Sequence, residues 1–148
     1  MSRVRIFAVL VAFGAAVYTH ARPVRAESWV AMRVIVNAAN PADGVDRRFL
    51  SEAFFKKTTR WPDDETIRPV DLTPSSPVRR TFSEEILKRP ISAVKSYWQQ
   101  MVFAGHGVPP PELESESDVV KFVARNRGAV GYVSPGAPLT GVKIIAVR

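Results

Sequence analysis

The sequence predicts a single α/β domain, of the three-layer type with a mostly parallel sheet. Short β-branched runs alternate along the chain with helical segments that repeat apolar residues every three to four positions. This alternation is typical of layers in which helical crossovers connect parallel strands. Residues 27–148 are enough for one hydrophobic core but too few for two. Because the chain has no cysteine, its stability must come from burial and not from disulfides or thiolate metal sites.

Residues 1–26 have the pattern of a cleavable signal peptide. Arg3 and Arg5 precede an apolar run at 6–17, and Val24-Arg25-Ala26 is similar to a small-x-small cleavage site. The run has 12 residues, whereas a membrane-spanning helix needs about 20. The sequence therefore predicts an exported, periplasmic protein with no stable membrane anchor after cleavage. The alternative is an uncleaved N-terminal anchor.

The charge balance argues against nucleic acid as a partner. The whole chain has a formal net charge of +7, but four of its arginines lie in residues 1–26, which contain no acid. Residues 27–148 therefore carry 17 basic and 14 acidic residues, a net charge of +3. No basic run is interleaved with aromatic residues, as binding to a nucleic-acid single strand would need. The domain is only mildly basic, and we expect no nucleic-acid binding.

The first half of the domain is predicted to contain two strands and one helix. Ala31–Asn37 is a short β-branched run that predicts a buried strand. Asp46 can cap a helix with one apolar face, formed by Phe49, Leu50, Ala53 and Phe54. Thr66–Leu72 predicts the second strand, and Pro69 within it favours an edge position because proline has no N–H to donate.

Two consecutive helices are predicted in the middle of the domain. Ser76 followed by Pro77 predicts a helix start, with an oxygen acceptor at the cap and proline at the first helical position. Pro90 ends this helix, Ser92 begins the next, and Gly105 closes it. The apolar positions of the two helices are Val78, Phe82, Ile86 and Leu87, then Val94, Trp98, Met101 and Val102.

A proline-rich segment separates these helices from the last part of the chain. Gly107–Glu116 is interpreted as an extended, solvated loop. Ser115 and Asp118 form a pattern similar to a capping box before an apolar helix that ends at Gly128. Residues 129–133 and 142–147 predict the last two strands.

The turn Thr73–Pro77 and the helix that follows it are the candidate functional site. A helix N-terminus presents unpaired N–H groups and the positive end of the helix dipole, so it can hold an oxyanion. The hydroxyls of Ser75 and Ser76 would add hydrogen bonds, and Arg79 or Arg80 would offer a fork of donors suited to phosphate. On the residues alone, the alternative is an ordinary Ser-Pro helix cap.

The order of the motifs resembles that of the phosphate-type periplasmic solute-binding proteins of ABC transporters. That family has a Phe-x-Gly-Lys-x-Thr-x-Trp segment, an Ile-x-Pro-Val strand and a serine-rich turn. The corresponding parts of this chain are Phe54–Trp61, Ile67–Val70 and Ser75-Ser76. Gly128–Val133 is similar to a Gly-x-Ile-Gly-Tyr element of the same family. The resemblance extends from about Val34 to the end of that element.

This resemblance implies the fold of one lobe of a type II periplasmic binding protein and a binding function without enzymatic activity or a cofactor. It implies that a phosphate-like oxyanion is held by Ser75, Ser76 and Arg79. Asp71 would orient the turn or accept a hydrogen bond from a protonated oxyanion. The implied partners are an ABC transporter permease and, because the domain has the length of one lobe, a second lobe or copy that completes the cleft.

Two departures from the family pattern support an alternative function. Pro69 stands where the family's Arg-x-Asp motif has arginine, and Pro77, which has no N–H, stands in the serine turn. The alternative is an envelope interaction or scaffolding protein that keeps the lobe fold without binding a ligand. The retained Asp71, the two serines and the glycines Gly105 and Gly107 favour the binding function.

Other charged groups receive structural interpretations. Lys56–Arg60 could form a second anion patch, but its lysines suit the C-terminal end of the preceding helix, so we interpret it as a solvated turn. His106 is assigned to the loop after a helix. The acids at 112–118 alternate along a proline-rich segment and do not form an acid–base pair. Because the chain has no P-loop, Gly-x-Ser-x-Gly or Gly-x-Gly-x-x-Gly motif, the sequence does not predict an enzyme.

Overall fold

The computed structural model describes residues 31–148, so the predicted signal peptide at 1–26 lies outside the described residues. Strands and helices are interspersed in this range, with α2 and α3 consecutive, as the hydrophobic pattern predicts. The strands are β1 (Arg33–Asn37), β2 (Gly44–Val45), β3 (Arg68–Pro69), β4 (Asp71–Leu72), β5 (Glu112–Leu113), β6 (Ala129–Val133) and β7 (Val142–Val147). The helices are α1 (Arg47–Phe54), α2 (Pro77–Glu85), α3 (Ile91–Phe103) and α4 (Glu116–Arg125).

The main sheet has five strands in the order β2-β7-β1-β6-β3. β1 is antiparallel to both β6 and β7, and its Ile35 lies opposite Gly131 and Ile144. The outer pairs β2–β7 and β3–β6 are parallel. The α/β class is confirmed, but the centre of the sheet is antiparallel where a mostly parallel sheet was predicted. A strand that is buried on both faces is a continuous apolar run in either orientation, so the hydrophobic pattern does not reveal its direction.

The predicted strand at 66–72 divides into two short strands in different sheets. β3 lies at the edge of the main sheet, which agrees with the position expected from Pro69. β4 pairs with β5 in a separate two-stranded sheet. The prediction of a solvated loop at 107–116 is therefore wrong at Glu112–Leu113, and Pro110 is buried. A strand of two residues is too short to show the alternation of apolar and polar side chains by which a sequence reveals a strand.

Three aromatic rings connect α1, α2 and β6 in the core. The rings of Phe82 and Tyr132 stack with centroids 4.0 Å apart and an interplanar angle of 6°. Phe54 packs on Phe82 with a centroid separation of 4.5 Å. All three side chains are almost fully buried, and such aromatic pairs contribute about 0.5–1.5 kcal/mol beyond the burial of their surface. This cluster fixes α2 against β6, which carries Tyr132 towards β4.

The helix faces agree with the predicted pattern except at the end of α3. Val94 and Trp98 are buried as predicted, but Val102 is 51% exposed and the adjacent Phe103 is 96% exposed. The last turn of α3 therefore extends beyond the core against which its first turns pack. In α4 the predicted cap by Ser115 is confirmed, since Ser115 Oγ accepts from Asp118 N–H at 3.1 Å. The Asp118 carboxylate binds the Ser115 hydroxyl at 2.7 Å and not its backbone N–H, so the reciprocal half of a capping box is not formed in the described residues.

Within residues 31–148, no helix combines the length and the hydropathy that crossing a membrane requires.

Candidate functional site

Asp71 lies where the chain passes from the main sheet to the two-stranded sheet. The N–H of Val70 donates to Val130 O in the main sheet at 3.0 Å, while the N–H of Asp71 donates to Pro111 O at 2.9 Å. The Asp71 side chain is 5% exposed, and its Oδ1 accepts from the N–H of Leu72 at 3.1 Å. Backbone hydrogen bonds on both sides therefore fix the position of this buried carboxylate.

Arg79 lies in the first turn of α2 and forms a buried ion pair with Asp71. Its Nη1 contacts Asp71 Oδ2, and its side chain is 4% exposed. Among the described residues, the buried Nε of the same guanidinium has no hydrogen-bond partner. Buried donors without an acceptor are costly, at about 1–3 kcal/mol each. The guanidinium is thus held by the carboxylate through Nη1, while its Nε donor still lacks an acceptor.

Tyr132 completes the cluster from β6. Its hydroxyl donates to Asp71 Oδ1 and accepts from the N–H of Leu72 at 3.2 Å. Burial raises the pKa of Tyr132 to about 12, although the positive charge of Arg79 acts in the opposite direction. At neutral pH the phenol is therefore protonated and serves as a donor to the carboxylate. We name Asp71, Arg79 and Tyr132 the buried triad.

The serine turn lies directly before α2. Ser76 is the N-cap residue of the helix, and its Oγ accepts from the N–H of Arg79 at 3.4 Å. Within residues 31–148 this hydroxyl donates to no acceptor, so its own hydrogen is available. Ser75 is exposed, and its hydroxyl lies 3.2 Å from that of Thr73. The Ser-Pro helix start that the sequence predicts is confirmed.

The structure brings most of the predicted anion-binding residues together. Asp71 and Arg79 are in direct contact, Ser76 caps the turn that carries Arg79, and Ser75 lies next to it on the surface. In one respect the site differs from the prediction, because the guanidinium is already paired with a carboxylate of the same chain. Tyr132 was not predicted to be a site residue, and its only signal was its place in the Gly128–Val133 element.

The remaining candidates lie in the turns after α1 and α3. Lys56, Lys57 and Arg60 are exposed in the turn after α1, as predicted. Trp61 is buried, and its Nε1 donates to Gly128 O at 2.9 Å, which ties this turn to the beginning of β6. His106 is exposed after α3. In the part of the chain that the structure describes, no group of three or more His, Cys, Asp or Glu side chains could hold a metal ion.

The chain is similar to known proteins in its structure. No family model matches the chain, and no curated protein matches it in sequence. An ABC-type phosphate transport receptor from Vibrio cholerae matches over 78% of this chain and 45% of its own, with a TM-score of 0.62 and 25% identity. The chain has the fold of one lobe of such a receptor.

Two further solved structures match in fold at lower sequence identity. A putative phosphate ABC transporter substrate-binding protein with bound phosphate from Clostridium perfringens has a TM-score of 0.62 and 19% identity, over 78% of this chain and 44% of its own. PstS from Borrelia burgdorferi has a TM-score of 0.61 and 12% identity, over 80% and 47%.

The chain spans less than half the length of these solved structures. Their names describe receptors and binding proteins and not enzymes, which agrees with the non-enzymatic role that the sequence predicts. The resemblance to phosphate-type solute-binding proteins, recognised in short motifs of the sequence, is thus confirmed by the fold.

Proposed function

We propose that the protein is an exported, periplasmic module that binds a phosphate-like oxyanion as one lobe of an ABC-transport receptor. The observation that carries the proposal is the buried guanidinium of Arg79 beside the serine turn, whose Nε donor has no hydrogen-bond partner among the described residues. This guanidinium lies in a fold shared with phosphate receptors. Arginine suits this task because its planar fork matches the geometry of phosphate oxygens.

Each residue of the candidate site has a distinct role in the proposal. The oxyanion accepts from the guanidinium of Arg79 and from the hydroxyls of Ser75 and Ser76. Asp71 keeps the guanidinium in place, or accepts a hydrogen bond from a protonated oxyanion. Tyr132 in turn donates to Asp71 and holds this carboxylate in position beside the guanidinium.

A second lobe or a second copy of the chain is part of this proposal. On a single lobe the bound anion would stay hydrated, and charge-assisted hydrogen bonds are weaker in high dielectric. Closure of two lobes removes that water and strengthens each contact. The further partner is a transporter permease, as in the protein class that the matching structures represent.

A second candidate function is an envelope interaction or scaffolding protein without a ligand. It is favoured by the ion pair itself, because Asp71 neutralises Arg79 without any bound anion. Pro69 and Pro77 also stand where the family pattern has an arginine and a backbone donor.

Calorimetric titration of the purified protein with phosphate at low ionic strength separates the two functions, with sulfate as the comparison anion. We expect saturable binding in the micromolar range, about −8 kcal/mol. Arg79→Lys keeps a positive charge for Asp71 but removes the fork, and should weaken binding at least about tenfold. The matched control is Arg80→Lys, at an exposed position in the same turn, which should leave the affinity unchanged.

Two results would decide against the proposal. No heat up to millimolar phosphate, from a protein shown by circular dichroism to be folded, would favour the interaction module. Equal affinities of the Arg79→Lys and Arg80→Lys variants would remove Arg79 from the site even if phosphate binds.

A further inference from the structure

A pocket of about 800 Å³ lies between α3 and the segment Val108–Glu112, which we name the proline segment. Its volume is within the range of about 300–1,000 Å³ that is typical of small-molecule sites. Val94, Trp98 and Val102 line it from α3, and the prolines of the proline segment line it from the other side. Most of the lining surface is therefore apolar.

The rim of this pocket exposes large apolar side chains. Phe103 is 96% exposed, Val108 is 62% exposed and Val102 is 51% exposed, and all three line the pocket. Among the described residues, Ile144 on β7 is the large exposed apolar side chain that lies elsewhere. Exposed apolar surface concentrated around a concavity is typical of a ligand-binding site.

Arg79 connects this apolar pocket to the buried triad. It lines the pocket although only 3% of the residue is exposed, and its Nε has no hydrogen-bond partner among residues 31–148. Two further charged residues line the pocket, Lys95 and Glu112. An anionic group near Arg79 would supply an acceptor for Nε, and the attraction of Lys95 would offset the repulsion of Glu112.

We propose that this pocket binds an amphipathic anion, with its oxyanion group at Arg79 and an apolar body between α3 and the proline segment. The inference rests on the proposed oxyanion binding and specifies the class of ligand. Inorganic phosphate would leave the apolar walls in contact with water. A phosphate monoester with an apolar substituent would cover those walls while its phosphate accepts from the guanidinium.

A series of alkyl phosphates tests the inference by calorimetry on the purified protein. Ethyl, butyl, hexyl and octyl phosphate are titrated below the concentrations at which they form micelles, beside inorganic phosphate and 1-octanol. We expect the affinity to increase by up to about fourfold for each methylene that is buried. Octyl phosphate should bind more than tenfold more tightly than inorganic phosphate, and 1-octanol should bind at least tenfold more weakly than octyl phosphate.

Substitutions at exposed apolar positions locate the binding without disturbing the core. Phe103→Ser should weaken octyl phosphate binding about tenfold and leave the affinity for inorganic phosphate unchanged. The matched control is Ile144→Ser, an exposed apolar position outside the pocket, which should change neither affinity.

The outcomes distinguish this inference from the proposed function. Binding of inorganic phosphate with no gain along the alkyl series would overturn the amphipathic ligand and leave oxyanion binding intact. Absence of binding by every phosphate would overturn both. Equal binding of 1-octanol and octyl phosphate would overturn the role of Arg79 as the anion contact.

Discussion

Asp71→Asn is the substitution that most directly probes the buried triad. It removes the negative charge that compensates Arg79, while both side chains are about 95% buried in the native protein. Removal of one partner of a buried ion pair typically costs about 3–5 kcal/mol, because the other charge stays buried and uncompensated. The asparagine can retain some of the hydrogen bonds of the carboxylate, so we expect a loss near the lower limit, about 3 kcal/mol. For a domain of this size this corresponds to a decrease in Tm of roughly 12 °C.

The measurement is urea denaturation monitored by tryptophan fluorescence, since Trp61 and Trp98 are buried and report the loss of packing. The control is Asp43→Asn, which removes a carboxylate that is 95% exposed and paired with Lys143 at 3.3 Å. Exposed ion pairs contribute about 0–1 kcal/mol, so the free energy of unfolding of this control should fall by no more than about 1 kcal/mol. If Asp71→Asn were no more destabilising than Asp43→Asn, the compensation of Arg79 by Asp71 would be refuted.

Three further predictions concern neighbouring features. The pKa of Tyr132 is raised to about 12, so the unfolded chain loses this proton first, and the free energy of unfolding should fall by about 2 kcal/mol between pH 10 and 12. Tyr132→Phe should abolish that fall, and equal falls in the native protein and the variant would contradict this prediction. A Cβ at Gly128 would lie 1.9 Å from Thr66 O, while one at Gly136 meets nothing within 4 Å, so only Gly128→Ala should markedly lower Tm in thermal unfolding. Ser76→Ala removes the cap of α2 and should cost about 1 kcal/mol in urea denaturation; an unchanged midpoint would show that the cap contributes nothing.

The sequence predicts the local features of the site because they depend on neighbouring residues. Ser76 and Pro77 define a helix start by their own hydrogen-bonding capacity, and the structure confirms that start. The buried triad is different, since Tyr132 lies 61 residues from Asp71 along the chain. Nothing in the sequence indicates that the carboxylate would be shared between a phenol and a guanidinium.

The pocket illustrates a second limit of sequence reasoning. The spacing of apolar residues in α3 assigns Val102 to the same buried face as Val94 and Trp98, and the helix does form there. The spacing of apolar residues along a helix cannot show where the core that packs against that face ends. Because the last turn of α3 extends beyond the core, Val102 and Phe103 become part of a pocket rim instead.

The most direct test of an oxyanion site at the beginning of α2 is a titration of the isotope-labelled protein with phosphate. The readout is the change in the NMR chemical shifts of the backbone amides. Saturable shifts should be centred on residues 71–80 and accompanied by a shift of the Arg79 Nε–H signal, because the anion would provide its missing acceptor. Shifts centred on the exposed turn Lys56–Arg60, or no saturable shift from a folded protein at millimolar phosphate, would contradict the assignment of the site.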